Sequence, residues 1–198
     1  THHGAYDLAY LRIVPNMIVA APMDEIELRL MMYTAQLDGM GPFSIRYPRG
    51  RGKQIDWKVP FEALEIGKGR EISDGEKVVI LSIGAIGIEV EKAVQVLAAE
   101  GIRPAHWDLR FAKPLDTEMI SRAADLFGKI VVVEDGVVQG GVGSAVLEYL
   151  SDQKKCAQVV RLGIPDRFVE HGTQEELWAE CGYDARGIAE QVRTLWGG

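Results

Sequence analysis

The sequence predicts an α/β fold: a mostly parallel sheet covered by helices on both faces, preceded by one strand-helix-strand crossover of another parallel sheet. Three observations carry this prediction. From Lys77 onward, short β-branched runs alternate with helical stretches of about 10 to 15 residues, the pattern of a parallel sheet with crossover helices. Helix starts are marked by side chains that can accept backbone N–H groups, at Asp24, Asp116 and Thr173. The first 50 residues read as extended, helical and extended again, and two neighbouring parallel strands need such a crossover.

Taken in order, "MIVAAP" (17–22) is an apolar run closed by proline and suits a buried strand. Asp24 then caps a helix with Glu27 completing a capping box, and Ile26, Leu30, Tyr33 and Leu37 recur at helical spacing as its buried stripe. "GPFSIRYPRG" (41–50) is extended and ends at Pro48. Residues 51–75 turn polar and rich in Lys, Arg, Glu and Gly, which marks a connector with a boundary near Glu62.

"KVVILSIG" follows as a strand, and the helix through Ile86, Val90, Val94, Leu97 and Ala98 stops at Gly101. "RPAHWDL" (103–109) is the next strand, and Asp116 caps a helix with Leu115 and Ile120 placed as a hydrophobic staple. "KIVVVED" (129–135) leads through "GVVQGGVGS" into a helix carrying Val146, Leu147 and Leu150, and "AQVVRLG" (157–163) is the last strand. Thr173 and Glu176 form a second capping box, and Asp184 opens a helix bearing Ile188, Val192 and Leu195.

Composition narrows the function classes. The net charge of -7, with basic residues spread thinly, offers no patch to release counterions from a phosphate backbone, so nucleic acid is not an expected partner. The longest apolar runs fall short of the roughly 18 residues that span a bilayer, so no membrane partner is expected either. Cys156 and Cys181 form no C-x-x-C pair, which fits a reducing cytoplasm. A start on Thr-His-His-Gly without methionine suggests a chain cut from something longer.

Several residues are candidates for chemistry. "QGGVGSAV" (139–146) lies between a strand and a helix, where backbone N–H groups can hold a phosphate. It departs from the dinucleotide fingerprint at Val146, and tight packing explains its glycines better. His106, beside Trp107 in a strand, and His171, before the Thr173 cap, lack the positioned neighbour that a catalytic base needs. His2 and His3 stand in a loop beside Gly4, where imidazole can move a proton near neutral pH. Arg49 lies in a loop at a strand end, the place where α/β sheets face ligands, and its guanidinium fork suits a phosphate, although surface arginines are common. Period-two alternation turns Arg46 to the other side or into the ladder.

The segments "THHGAYDLAYLRIVPNMIVAAPMDEIE", "GPFSIRYPRG", "HWDLRFAKPLD" and "LGIPDRFVEHGTQEELWAECGYDARGI" together resemble the 1-deoxy-D-xylulose-5-phosphate synthase family of transketolase-like enzymes, over essentially the whole chain. The resemblance implies the end of a thiamine pyrimidine-binding domain (1–50), a linker (51–62) and a transketolase C-terminal-type three-layer α/β domain (63–198). It implies thiamine diphosphate and Mg2+ as cofactors of a longer parent whose N-terminal domains bring the main cofactor motifs; cofactor-binding residues within this chain stay unknown, and no metal ligands are assigned.

Pyruvate and D-glyceraldehyde 3-phosphate are the substrates so implied, condensed with loss of CO2, in a homodimer of the cytoplasm, or of the plastid if the source is a plant. His2 matches the family's T-H-x-G histidine, with a catalytic role in substrate binding and proton transfer. Arg49 matches the second arginine of R-Y-P-R-G, which anchors the acceptor's phosphate. His3 is not fixed by the pattern. This polypeptide alone is expected to be inactive. The alternatives are a non-catalytic dimerisation module and a beta subunit of a 2-oxo acid dehydrogenase, whose lipoyl acceptor needs no phosphate anchor.

Overall fold

In the computed structural model, which describes residues 4–50 and 52–197, the predicted layers are present. A short 3-10 turn (Gly4–Tyr6) runs into α1 (Asp7–Leu11), then β1 (Ile18–Ala20), α2 (Glu25–Thr34) and β2 (Phe43–Ile45). The strands β1 and β2 are parallel, with Ile18 opposite Phe43, so the opening segment is the expected crossover.

After an irregular stretch come β3 (Arg70–Ser73), β4 (Val79–Ile83), α3 (Gly87–Ala98), β5 (Ala105–Asp108) and β6 (Phe111–Lys113). Then follow α4 (Thr117–Phe127), β7 (Lys129–Val137), α5 (Val142–Asp152), β8 (Gln158–Ile164), α6 (Gln174–Cys181) and α7 (Ala185–Gly197). The main sheet has the order β3-β5-β4-β7-β8, parallel except for β3.

Alternation along the strands splits the core into two layers. Val79 and Leu81 of β4, Trp107 of β5 and Val132 of β7 pack with Ile120 of α4 and Val146 of α5 on one face. Val78, Ile80 and Val131 meet Val90 of α3 and Ile188 and Val192 of α7 on the other. Successive strand residues point to opposite faces, so β-branched runs buried on both sides specify three layers.

Two strands escape the sequence reading. The strand β3 lies in the polar connector; its residues are half-buried or exposed, as an edge strand's are, and it carries no apolar run to mark it. The three-residue β6 leaves the main sheet after β5 and pairs antiparallel with β1, giving a second sheet β2-β1-β6. The two parts of the chain therefore share a sheet, with a small core of Ala20, Met31 and Phe111 beneath it.

The helix α2 also differs from expectation. Asp24 accepts the Glu27 N–H at 2.9 Å, but Glu27 does not close the box. Its carboxylate, 1% exposed, takes a two-pronged bond from Arg110 (2.7 and 2.8 Å) and another from Arg70 at 3.0 Å. The buried face consequently runs through Glu27, Leu30, Met31 and Thr34, turned by about a residue from the predicted stripe, with Ile26 and Tyr33 only half-buried. The capping box at Thr173 and Glu176 is complete.

Candidate functional site

The loop after β2 carries Arg49. Arg46 is the last residue that the first sheet holds, its N–H donating to the Ala20 carbonyl at 2.8 Å. Tyr47, Arg49 and Gly50 beyond it are exposed, and no carboxylate pairs with Arg49 among the described residues. Tyr47, Pro48 and Gly50 border a groove of about 400 Å³, closed on its other sides by Pro22 after β1, Ala85 before α3 and Trp178 of α6. It lies outside the carboxyl ends of β1 and β4, the usual place for ligands of open α/β sheets.

His2 and His3 lie outside the described residues. The chain that follows them is anchored: Leu8 is buried in the main core, and Asp7 approaches the Arg46 guanidinium at 3.6 Å. Burial raises the Asp7 carboxyl above its ordinary value, against the pull of Arg46. Tyr6 borders a second depression, of about 390 Å³, together with Val137, Ile164 and the largely exposed Phe168.

Arg46 itself faces neither solvent nor the ladder. Its Nη1 donates to Asp135 Oδ2 at 3.1 Å, while Asp135 Oδ1 accepts the Trp178 indole N–H at 3.1 Å and the Tyr183 hydroxyl at 3.0 Å. Burial and then the Asp135 charge keep the Tyr183 phenol protonated by driving its pKa upward. Sequence reasoning missed Asp7 and Asp135. The signal for Asp135 was an acid ending the apolar run "IVVVED", and that for Asp7 an acid in a first helical turn.

The glycine-rich turn is occupied from within. Glu134, buried at the end of the apolar part of β7, accepts the N–H groups of Val142 (2.8 Å) and Gly143 (2.9 Å) at the start of α5. A Cβ at position 141 would collide with the Glu134 carboxylate and the Val137 carbonyl, which is why glycine stands there. Burial lifts the Glu134 carboxyl to about 7 while the two amides pull it down. Amides already bonded to a carboxylate do not cradle a diphosphate.

His106 is a core residue: 1% exposed, its Nε2 is 2.8 Å from Ser82 Oγ, and burial assisted by the Arg70 and Lys53 charges depresses it to about 3. His171 is exposed. No group of His, Cys, Asp and Glu suited to a metal occurs among the described residues, and no helix among them is long and apolar enough to cross a membrane.

Residues 67–188 match the family model of the transketolase C-terminal domain, and residues 1–54 that of the transketolase pyrimidine binding domain. The chain belongs to the transketolase family. Curated relatives named 1-deoxy-D-xylulose-5-phosphate synthase are 59% identical over all 198 residues in Cytophaga hutchinsonii and 52% identical over 95% of the chain in Phocaeicola vulgatus. The chain spans 31% and 30% of their lengths, about a third of each. A solved split-gene transketolase, described as an inactive β4 tetramer, superposes with a TM-score of 0.84 at 31% identity, covering 99% of this chain and 62% of that one. A transketolase mutant from Pichia stipitis (TM-score 0.72, 20% identity, 99% and 27% coverage) shares the fold.

Proposed function

We propose that this chain works as part of a 1-deoxy-D-xylulose-5-phosphate synthase, condensing pyruvate with D-glyceraldehyde 3-phosphate with loss of CO2. The observation that carries the reading is the likeness to enzymes of that name over the whole chain. The groove bordered by Tyr47, Pro48 and Gly50, the neighbours of the exposed Arg49, supports it, since a guanidinium fork binds a phosphate through two parallel N–H bonds. In this reading residues 1–50 belong to a pyrimidine-binding domain, 51–62 link, and 63–198 form the C-terminal domain of a cytoplasmic homodimer.

Arg49 anchors the acceptor's phosphate and so orients its aldehyde. His2 binds at the substrate end and moves a proton there. Thiamine diphosphate with Mg2+, held by other segments, would supply the electron sink that decarboxylation needs. The glycine-rich turn before α5 does not fit a diphosphate, because Glu134 fills it, and the reading places the cofactor's main contacts on other segments of the enzyme.

The test is CO2 release from pyruvate with Mg2+ and thiamine diphosphate, with and without D-glyceraldehyde 3-phosphate. The purified chain is expected to release none. Completed with the N-terminal portion that the curated relatives carry, it is expected to release CO2 in an aldehyde-dependent manner. Replacing Arg49 with Ala in that enzyme is expected to raise the KM for the phosphorylated acceptor by about tenfold to a hundredfold, the worth of a charge-assisted hydrogen bond of roughly 1.5–3 kcal/mol. Turnover by the chain alone, or an unchanged KM, overturns the reading.

A further inference from the structure

We infer that Arg46 is the positioning residue for Arg49, holding the phosphate-binding loop to the rest of the molecule through Asp135; the inference rests on the phosphate role proposed for Arg49. Three observations meet at this residue. Its backbone N–H on the Ala20 carbonyl is the last bond tying the loop to the first sheet, three residues before Arg49. Its guanidinium reaches across to Asp135 near the end of β7, in the other part of the chain. On its other edge lies Asp7, five residues beyond His2. One side chain thus joins the two segments that carry the candidate site residues to the three-layer core.

The arrangement is suited to fixing direction and not merely to neutralising charge. Asp135 is oriented by partners other than Arg46, because its Oδ1 accepts the Trp178 N–H and the Tyr183 hydroxyl, leaving Oδ2 for the arginine. A planar guanidinium gripped at Nη1 and approached at Nε cannot rotate freely about its stem, whereas an ammonium in the same place could. Buried ion pairs contribute little net stability against apolar replacements, so their value lies more in geometry than in folding energy. Trp178 also walls the groove, so the network ties the groove's far side to the loop on its near side.

The variant Arg46→Lys keeps the charge and loses the fork. Tyr183→Phe removes one bond that orients Asp135 while leaving Arg46 and the groove wall untouched. Both are made in the enzyme completed with the N-terminal portion of its relatives, and KM is measured for D-glyceraldehyde 3-phosphate and for unphosphorylated D-glyceraldehyde. Arg46→Lys is expected to raise the ratio of the first KM to the second about tenfold, since displacements near 1 Å cost that much or more. Tyr183→Phe is expected to raise it about threefold. A folded Arg46→Lys enzyme whose ratio is unchanged, or whose two KM values rise together, overturns the inference. Should Arg46→Lys fail to fold, an unchanged ratio in Tyr183→Phe does so. If Arg49→Ala leaves the phosphorylated KM unchanged, the phosphate reading fails and this inference with it, an outcome distinct from failure at Arg46 alone.

Discussion

His106 sits in β5 with both neighbours in the sheet, Ser82 against its Nε2, and its pKa at about 3. Burial is the main cause, and the positive charges of Arg70 and Lys53 add to it. The unfolded chain takes up a proton near pH 6.5 that the folded one refuses, so this group's contribution is fully present above about 6.5 and is lost as pH falls toward 3. Glu134, raised to about 7, and Asp108, raised to about 6, act in the opposite sense: their folded forms hold protons that the unfolded chain has released. The slope due to His106 is therefore read as a difference between proteins. His106→Asn is expected to cost about 1–2 kcal/mol at pH 7.5 and less at pH 5, measured by urea unfolding. An equal cost at both values would show that the imidazole is not held neutral.

At this scale the sequence was legible where chemistry is local. A histidine in a strand without a partner read as structural, and Asp116 and Thr173 read as caps because their acceptors lie three residues on in the chain. Arg46, Asp7 and Asp135 were not legible as a set, since their meeting depends on separations of 39 to 128 residues that no local pattern encodes. The same holds for Glu134. The glycine pattern announced a strand turning into a helix, but not the carboxylate inside the turn.

Among the elements, α2 shows how a long-range contact overrides a local motif. A capping-box glutamate is worth about 1 kcal/mol at a helix start, whereas two guanidinium groups in a half-buried site demand a counter-charge. Glu27 satisfies Arg110 and Arg70 while Asp108 and Asp24 complete the cluster, and the helix turns to bring it inward. Glu27→Ala is expected to destabilise the protein by about 3–5 kcal/mol, because it strips Arg110 of its carboxylate, although Arg70 keeps Asp108 and Asp24. Denaturant midpoints check this. A loss below about 1 kcal/mol would place Glu27 among ordinary caps.

The irregular connector is likewise held by α2. Arg29 donates to the Val59 carbonyl at 3.1 Å and lies 3.9 Å above the Phe61 ring and 5.4 Å from that of Trp57. Periodicity does not detect a segment held by cation–π contacts, so from sequence it read only as a polar linker.

For the molecule as a whole, the parts on either side of the connector are joined at several places besides the chain itself, among them Arg12, which donates to the Gly140 carbonyl at 3.0 Å and pairs with Glu148. The strand β6 pairs with β1, so among the described residues the later part of the chain lends a third strand to the first sheet. Glu27 bonds Arg110 and Arg70 across the same boundary, and Arg46 bonds Asp135. Phe111 of β6 lies over Phe43 with ring centres 6.4 Å apart, within the small core that also holds Ala20 and Met31. Hydrophobic burial and these directional contacts should therefore outlast a cut in the backbone. Limited proteolysis between residues 52 and 58 is expected to give two fragments that elute together from a sizing column at neutral pH and low salt. They are expected to separate only under denaturing conditions. The Glu27→Ala variant, nicked in the same way, is expected to come apart more readily, because the bonds of Glu27 to Arg110 and Arg70 across the boundary are lost while β1 and β6 remain. Fragments that separate at once would mean that the connector itself holds the two parts together and that the shared sheet contributes little.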